Sequence, residues 1–126
     1  MNYTTLYDKA GNPVAWINEK KEYAEIYLFN GQPVAWISED SIYSYDGQHL
    51  GWFESGWVLD HDGNIVLFSQ DVAGGPYLPA RQPSPARDEK WASPDRSAKQ
   101  SSPLRPYYLG AWSSTNFEKF FMLKVS

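Results

Sequence analysis

The residues of this chain that could do acid–base or ligand chemistry are few. The two histidines, His49 and His61, stand among Asp46, Asp60 and Asp62. Imidazole with carboxylate is a zinc-type donor set, but such a site needs three or four groups converging on one point. His61 lies directly between Asp60 and Asp62, and neighbours along a strand point to opposite faces. Cysteine is absent, which excludes disulfides and thiolate sites. No metal and no cofactor is therefore expected. Asp40, Asp46, Glu54 and Asp60 have the residue type for glycoside hydrolysis, yet that chemistry needs two carboxylates at a set separation, which no spacing here encodes. The serines of SSPLRP (101–106) and WSST (112–115) lack the strained turn that presents a nucleophile. Gly74-Gly75 precedes a proline and reads as a hinge, not a phosphate loop. The chain thus shows no catalytic signature.

The elements that carry these residues come from a repeat. GNPVAWI (11–17) returns as GQPVAWI (31–37), and the pattern extends to four copies. They are LYDKAGNPVAWI (6–17), IYLFNGQPVAWI (26–37), IYSYDGQHLGWF (42–53) and VLDHDGNIVLFS (58–69). Their glycines, Gly11, Gly31, Gly47 and Gly63, are 20, 16 and 16 residues apart. Five residues after each glycine come Trp16, Trp36, Trp52 and Phe68; four before come Tyr7, Tyr27, Tyr43 and Leu59. Such self-similarity marks a repeat architecture. Each copy reads as a β-hairpin with a two-residue type I′ turn at Ala10-Gly11, Asn30-Gly31, Asp46-Gly47 or Asp62-Gly63. Strand alternation then puts Tyr27, Phe29, Val34 and Trp36 on one face of copy two. The other face carries aliphatics (Leu6, Ile26, Ile42, Val58) opposite mostly small residues (Ala15, Ala35, Gly51, then Leu67). A single hairpin is marginal in water. Four closed round an axis would bury their faces and remove exposed edges. The expected fold is all-β: four β-hairpin repeats (1–71) around a pseudo-four-fold axis, small residues inward.

Charge and composition change after residue 71. Residues 1–71 hold eleven acids and three bases, a net of −8; residues 72–126 hold four acids and eight bases, a net of +4. The two parts are complementary. Residues 73–106 contain seven prolines and show no helical or strand period. They read as a Pro-rich, Ser- and Arg-rich extended arm (72–106) in partly polyproline conformation. A disordered linker competes with an arm laid on the aromatic hairpins, with Arg81, Arg87, Arg96 and Arg105 against acidic surface. The aromatic end, 107–126, favours the arm, because order resumes there. Thr115 with Glu118 fits a capping box, and Phe117, Phe120 and Phe121 form one apolar face of a short C-terminal aromatic turn or helix. All three segments make one domain.

The four Y-x-x-x-G-x-x-V-x-W copies, the Pro-rich stretch and the closing W-S-x-x-x-F-x-x-F-F resemble the four-fold beta flower proteins, a small bacterial family. The closing motif is Trp112, Ser113, Phe117, Phe120 and Phe121. Copy four departs from the pattern at Leu59 and Phe68. The resemblance implies hairpins set like petals round a four-fold axis, and it carries no activity, catalytic residue or cofactor.

The functional expectation is a non-enzymatic interaction or scaffold module that binds protein or peptide through Tyr27, Trp36, Tyr43, Trp52 and Trp57. Packing beneath the arm is the competing role for all five. The first alternative is a small-molecule or carbohydrate pocket on the ring axis, with Trp and Tyr stacking on the ligand. An unrecognised hydrolase is the second. The acidic balance argues against a nucleic-acid partner. No apolar run approaches the roughly 20 residues of a membrane span. The first residues lack the basic and apolar regions of a secretory signal, which points by exclusion to the cytoplasm. No residue pattern sets an oligomeric state.

Overall fold

A computed structural model describes residues 3–72, 76–108 and 110–123. The fold is all-β. Its strands are β1 (Tyr3–Tyr7), β2 (Pro13–Glu19), β3 (Ala24–Leu28), β4 (Pro33–Ser38), β5 (Ser41–Tyr43), β6 (His49–Glu54), β7 (Trp57–Leu59) and β8 (Ile65–Phe68). Each pairs antiparallel with the next, and Tyr7 of β1 pairs with Phe68 of β8 to close the barrel. Every copy of the repeat is one hairpin. At the axis the pairs are Leu6 with Ala15, Ile26 with Ala35, Ile42 with Gly51, and Val58 with Leu67. These side chains are fully buried. In three of the four hairpins a large residue faces a small one. That is how one barrel lumen takes contributions from eight strands without overpacking.

The turns differ from the two-residue type I′ form. Each glycine amide donates to the carbonyl three residues back (Asp8, Leu28, Ser44, Asp60) at 2.9–3.1 Å. The amides of those four residues donate to the carbonyls just past the glycines, at 2.9–3.0 Å. Only the glycine has positive φ, +84 to +96°. This is the three-residue loop closed by a glycine bulge. It suits Ala10, which would be strained at the second positive φ that type I′ demands. A loop with two positive φ values does occur at the opposite rim, at Ser55-Gly56.

Irregular register next to each turn changes which face a residue occupies. Tyr27 pairs with Pro33 and Ile26 with Ala35, so Val34 is left without an opposite number. The other three hairpins repeat this at Val14, Leu50 and Val66. Two residues opposing one resets the alternation. Val34, Leu50 and Val66 therefore join the inner cluster, and the expectation that Val34 shares the Trp36 face is corrected.

The last segment plugs the barrel. Trp112 bridges to Ile65, and Ser113 donates its amide to the Ile65 carbonyl at 2.7 Å. Helix α1 (Phe117–Phe120) follows, capped by the Asn116 side chain, which accepts from the Lys119 amide. Asn116 takes the capping role that the Thr115–Glu118 spacing suggested for Thr115. Phe120 and Phe121 are buried in the inner cluster with the bulge residues.

Residues 76–108 form neither strand nor helix, yet they are periodic. The period is nine: 76–84, 85–93, 94–102 and 103–111. First positions are Pro76, Pro85, Pro94 and Pro103; third positions are Leu78, Arg87, Arg96 and Arg105; sixth positions are Arg81, Lys90, Lys99 and Tyr108. Each repeat meets one hairpin turn. The fifth-position carbonyls of Ala80, Glu89, Ala98 and Tyr107 lie where a side chain on Gly11, Gly31, Gly47 or Gly63 would be, 2.1–2.2 Å from an ideal Cβ. The seventh-position amides of Gln82, Trp91 and Gln100 donate to the carbonyls of Gly11, Gly31 and Gly47 at 2.8–2.9 Å. The fourth-position amides of Asp88 and Ser97 donate to Phe29 and Tyr45 at 2.8 and 2.9 Å. In the first and last repeats that position is Pro79 or Pro106, which has no amide to give. The segment is a belt round the turn rim, one nonapeptide per hairpin, where the sequence showed no helix or strand period.

Candidate functional site

Beneath the belt the aromatic residues form a band round the barrel. Two tryptophans meet the tyrosine of the next hairpin: Trp16 with Tyr27 and Trp36 with Tyr43, both at 5.1 Å between centroids. Phe68 with Tyr7 closes the band at 5.4 Å. Trp52 faces Leu59 at the remaining junction. These are cross-strand neighbours, brought together by the pairing of adjacent hairpins. Tyr27, Trp36, Tyr43, Trp52 and Trp57 are all 2–5% exposed. Four of them belong to this band. Trp57 lies in a second cluster with Tyr7, Leu59, Ile65 and Phe68, with Leu78 of the belt against it.

The belt covers the band with cations. Arg87 lies 3.5 Å over the Tyr3 ring and 4.8 Å from Trp16. Arg96 repeats this at 3.6 Å over Tyr23 and 5.1 Å from Trp36. In both places the Tyr and Trp rings are nearly perpendicular, at 83° and 89°. Each guanidinium thus sits in a two-walled aromatic corner. Arg105 is 5.7 Å from Trp52, and its guanidinium binds Asp40 at 2.8 Å and Glu54 at 3.0 Å instead of a second ring. At the fourth hairpin the third-position residue is Leu78, packed in the apolar Phe68 cluster. Sixth-position cations stand farther off, with Arg81, Lys90 and Lys99 at 5.7–5.9 Å over Tyr7, Tyr27 and Tyr43.

Two polar clamps fasten the belt between hairpins. At the first, Glu25 is buried on β3 and accepts from Tyr27 at 3.1 Å and Tyr45 at 2.6 Å, with Lys20 at 3.2 Å. The Ser93 hydroxyl of the belt joins through Tyr27 at 3.1 Å. Burial pushes the Glu25 carboxyl up, but hydrogen bonds from Ser93, Tyr45, Lys20 and Tyr27 outweigh it and hold the group below its ordinary range. Burial and the same carboxylate push the Tyr45 phenol up.

At the second clamp, His49 Nε2 lies 3.1 Å from Ser41 Oγ and 3.3 Å from Ser102 Oγ of the belt. Its Nδ1 lies 3.0 Å from His61 Nε2, with the two rings tilted by only 13°. One ring must donate and the other accept. Burial, then the nearby His61, lowers the His49 pKa against an opposing pull from Asp40. The line Ser102, His49, His61 has the order of nucleophile, base and orienting group. However, His49 is buried and divides one nitrogen between two hydroxyls, which suits a clamp.

Among the described residues no group of three His, Asp or Glu could hold a metal ion. The axial alternative for a ligand meets fully buried Leu6, Ile26, Ile42 and Val58 where the pocket would lie. Among the described residues no helix is long and apolar enough to cross a membrane. Sequence reasoning passed over Tyr3, Tyr23 and Glu25. The nine-residue recurrence of proline and arginine was the available signal for the first two, because it points to equivalent seats.

No curated protein and no solved structure matches the chain. A sequence model of the family described as 4-fold beta flower protein matches residues 4–121, which takes in the hairpins, the belt and the plug. That match covers nearly the whole chain, and four successive hairpins make up the barrel: the chain belongs to the 4-fold beta flower protein family.

Proposed function

We propose that this chain is a non-enzymatic module that binds protein or peptide, with the aromatic band as its contact surface and the belt as its resident, intramolecular ligand. One observation supports the reading above others: four successive nonapeptides each set a carbonyl against a hairpin glycine, and three of them also donate an amide to that glycine's carbonyl. A surface that repeatedly seats extended chain through main-chain bonds and periodic side-chain sites has the design of a peptide-recognition groove. Tyr27, Trp36, Tyr43 and Trp52 form the floor, and Trp57 anchors the apolar seat.

The test uses a belt-weakened variant, Arg87→Ala with Arg96→Ala and Arg105→Ala. It is mixed with a labelled peptide of residues 85–105, and Trp fluorescence and label anisotropy are followed. The variant is expected to bind saturably, and the wild-type chain far more weakly because its own belt occupies the seats. A variant whose belt has become protease-sensitive but which binds no peptide refutes the proposal.

A further inference from the structure

The band makes a chemical choice among extended chains. We infer that the partner it accepts is an arginine-bearing, proline-punctuated extended polypeptide, read by its guanidinium groups at a nine-residue spacing. This inference rests on the peptide-binding reading above. Three of the four seats are built for a guanidinium and not for an unspecified cation. At two of them the Arg87 and Arg96 groups lie 3.5 and 3.6 Å over a tyrosine face, with a perpendicular tryptophan as second wall. A flat, weakly hydrated guanidinium stacks face-on against a ring at that distance and loses less hydration in doing so than an ammonium does. The sixth belt position makes no such choice: Arg81, Lys90 and Lys99 all stand off there, at 5.7–5.9 Å, so the selection belongs to the third-position corners. The third seat replaces the missing tyrosine wall with Asp40 and Glu54. One carboxylate on each terminal nitrogen of Arg105 matches a forked donor and not a point charge.

The spacing is set by the barrel. Each glycine turn fixes where one carbonyl of the ligand must lie, and Gly11, Gly31 and Gly47 also fix an amide, so successive arginines have to be nine residues apart to reach successive corners. Trp16 and Arg87 line one surface cleft, and Trp36, Tyr23 and Arg96 line another, so each corner lies at the surface and becomes accessible where the belt's own arginine is removed. The acidic balance of residues 1–71, net −8, draws such a basic chain from a distance.

The experiment uses the full chain with Arg87→Ala and Arg96→Ala as host, its fold checked by near-UV circular dichroism. A second host, Arg87→Lys with Arg96→Lys, decides if the first is unfolded. Four fluorescein peptides are titrated: residues 85–102 as they stand, the same with both arginines changed to lysine, the same with Ala92 deleted, and a scrambled order. The native peptide is expected to bind at least tenfold more tightly than each of the others. Equal binding of all four would overturn the arginine-spacing inference while leaving peptide binding intact. Binding of none would remove both.

Discussion

The glycine turns carry the most quantitative consequence of the belt, and Gly31→Ala is the substitution that exposes it. An ideal Cβ on Gly31 would lie 2.1 Å from the Glu89 carbonyl oxygen, whereas ordinary contact begins at 3.4 Å. The belt must therefore retreat by 1.3 Å (3.4 less 2.1) at that point. Such a shift breaks the bond from the Trp91 amide to the Gly31 carbonyl and strains the one from Asp88 to Phe29. Each is worth about 1 kcal/mol net. An alanine at φ +96° adds about 1–2 kcal/mol of backbone strain. The expected loss is about 3 kcal/mol, or about 10 °C in Tm for a domain of this size. Urea unfolding measures the first figure, and limited trypsin digestion at Arg87 and Lys90 reports whether the belt has lifted. Gly56→Ala is the control, since Gly56 has φ +87° and its Cβ would meet Ser69 and Val72, with no belt atom among its nearest contacts. Gly31→Ala should hasten belt cleavage and Gly56→Ala should not. If Gly31→Ala costs only the strain and leaves cleavage at the wild-type rate, the seating of the belt on the turns is wrong.

Other outcomes follow from the same geometry. Glu25→Gln should cost about 2 kcal/mol at neutral pH, because each of the two phenol hydrogen bonds it accepts is worth about 1 kcal/mol more to a charged acceptor than to a neutral one. The Glu25 carboxyl titrates below its ordinary range in the fold. Its contribution is thus complete above the unfolded value of about 4.3 and is lost as pH falls through the lower folded value, an acid limb the Gln variant should lack. His49 is also lowered, so the fold favours its neutral form. That contribution is complete above about 6.5 and declines as pH drops toward the folded value. Wild type should lose urea resistance between pH 7.5 and pH 5.5, and His49→Asn should lose less; equal losses would remove the clamp from the explanation. Phe120→Ala empties the plug and should cost about 3–5 kcal/mol, read by thermal unfolding.

The hairpins and the axis were legible because they obey a local period. Leu6 with Ala15 and Ile26 with Ala35 can be paired from alternation alone once the copies are aligned. The turn type was not, since a glycine of positive φ serves both the two-residue and the three-residue loop. Ala10 was the residue that argued for the longer one, and Val34 changed faces as a direct result. The belt escaped for a different reason. Its repeat of nine matches no backbone geometry; it is the length of extended chain needed to pass from one hairpin turn to the next, a property of the barrel. Glu25 was invisible in the same way. A carboxylate on a strand reads as solvated until Tyr45 of the next hairpin and Ser93 of the belt are brought to it.

The two repeats of this chain count differently. The hairpin glycines are 20, 16 and 16 residues apart, while the belt advances by nine at every step. The four additional residues lie in the connection between β2 and β3, residues 20–23 against two residues in the later copies, and in the strand ends that flank it, at the rim away from the hairpin turns. Length at that rim leaves the belt's backbone register alone, because the register is set at the glycines, although the same connection supplies Tyr23 to the Arg96 seat. The belt itself has no such freedom. One residue gained or lost near Ala92 would carry every later carbonyl off its glycine and every later arginine off its seat. Drift in length leaves the belt's register intact at one rim and destroys it along the other, and the boundary between them is the row of four glycines.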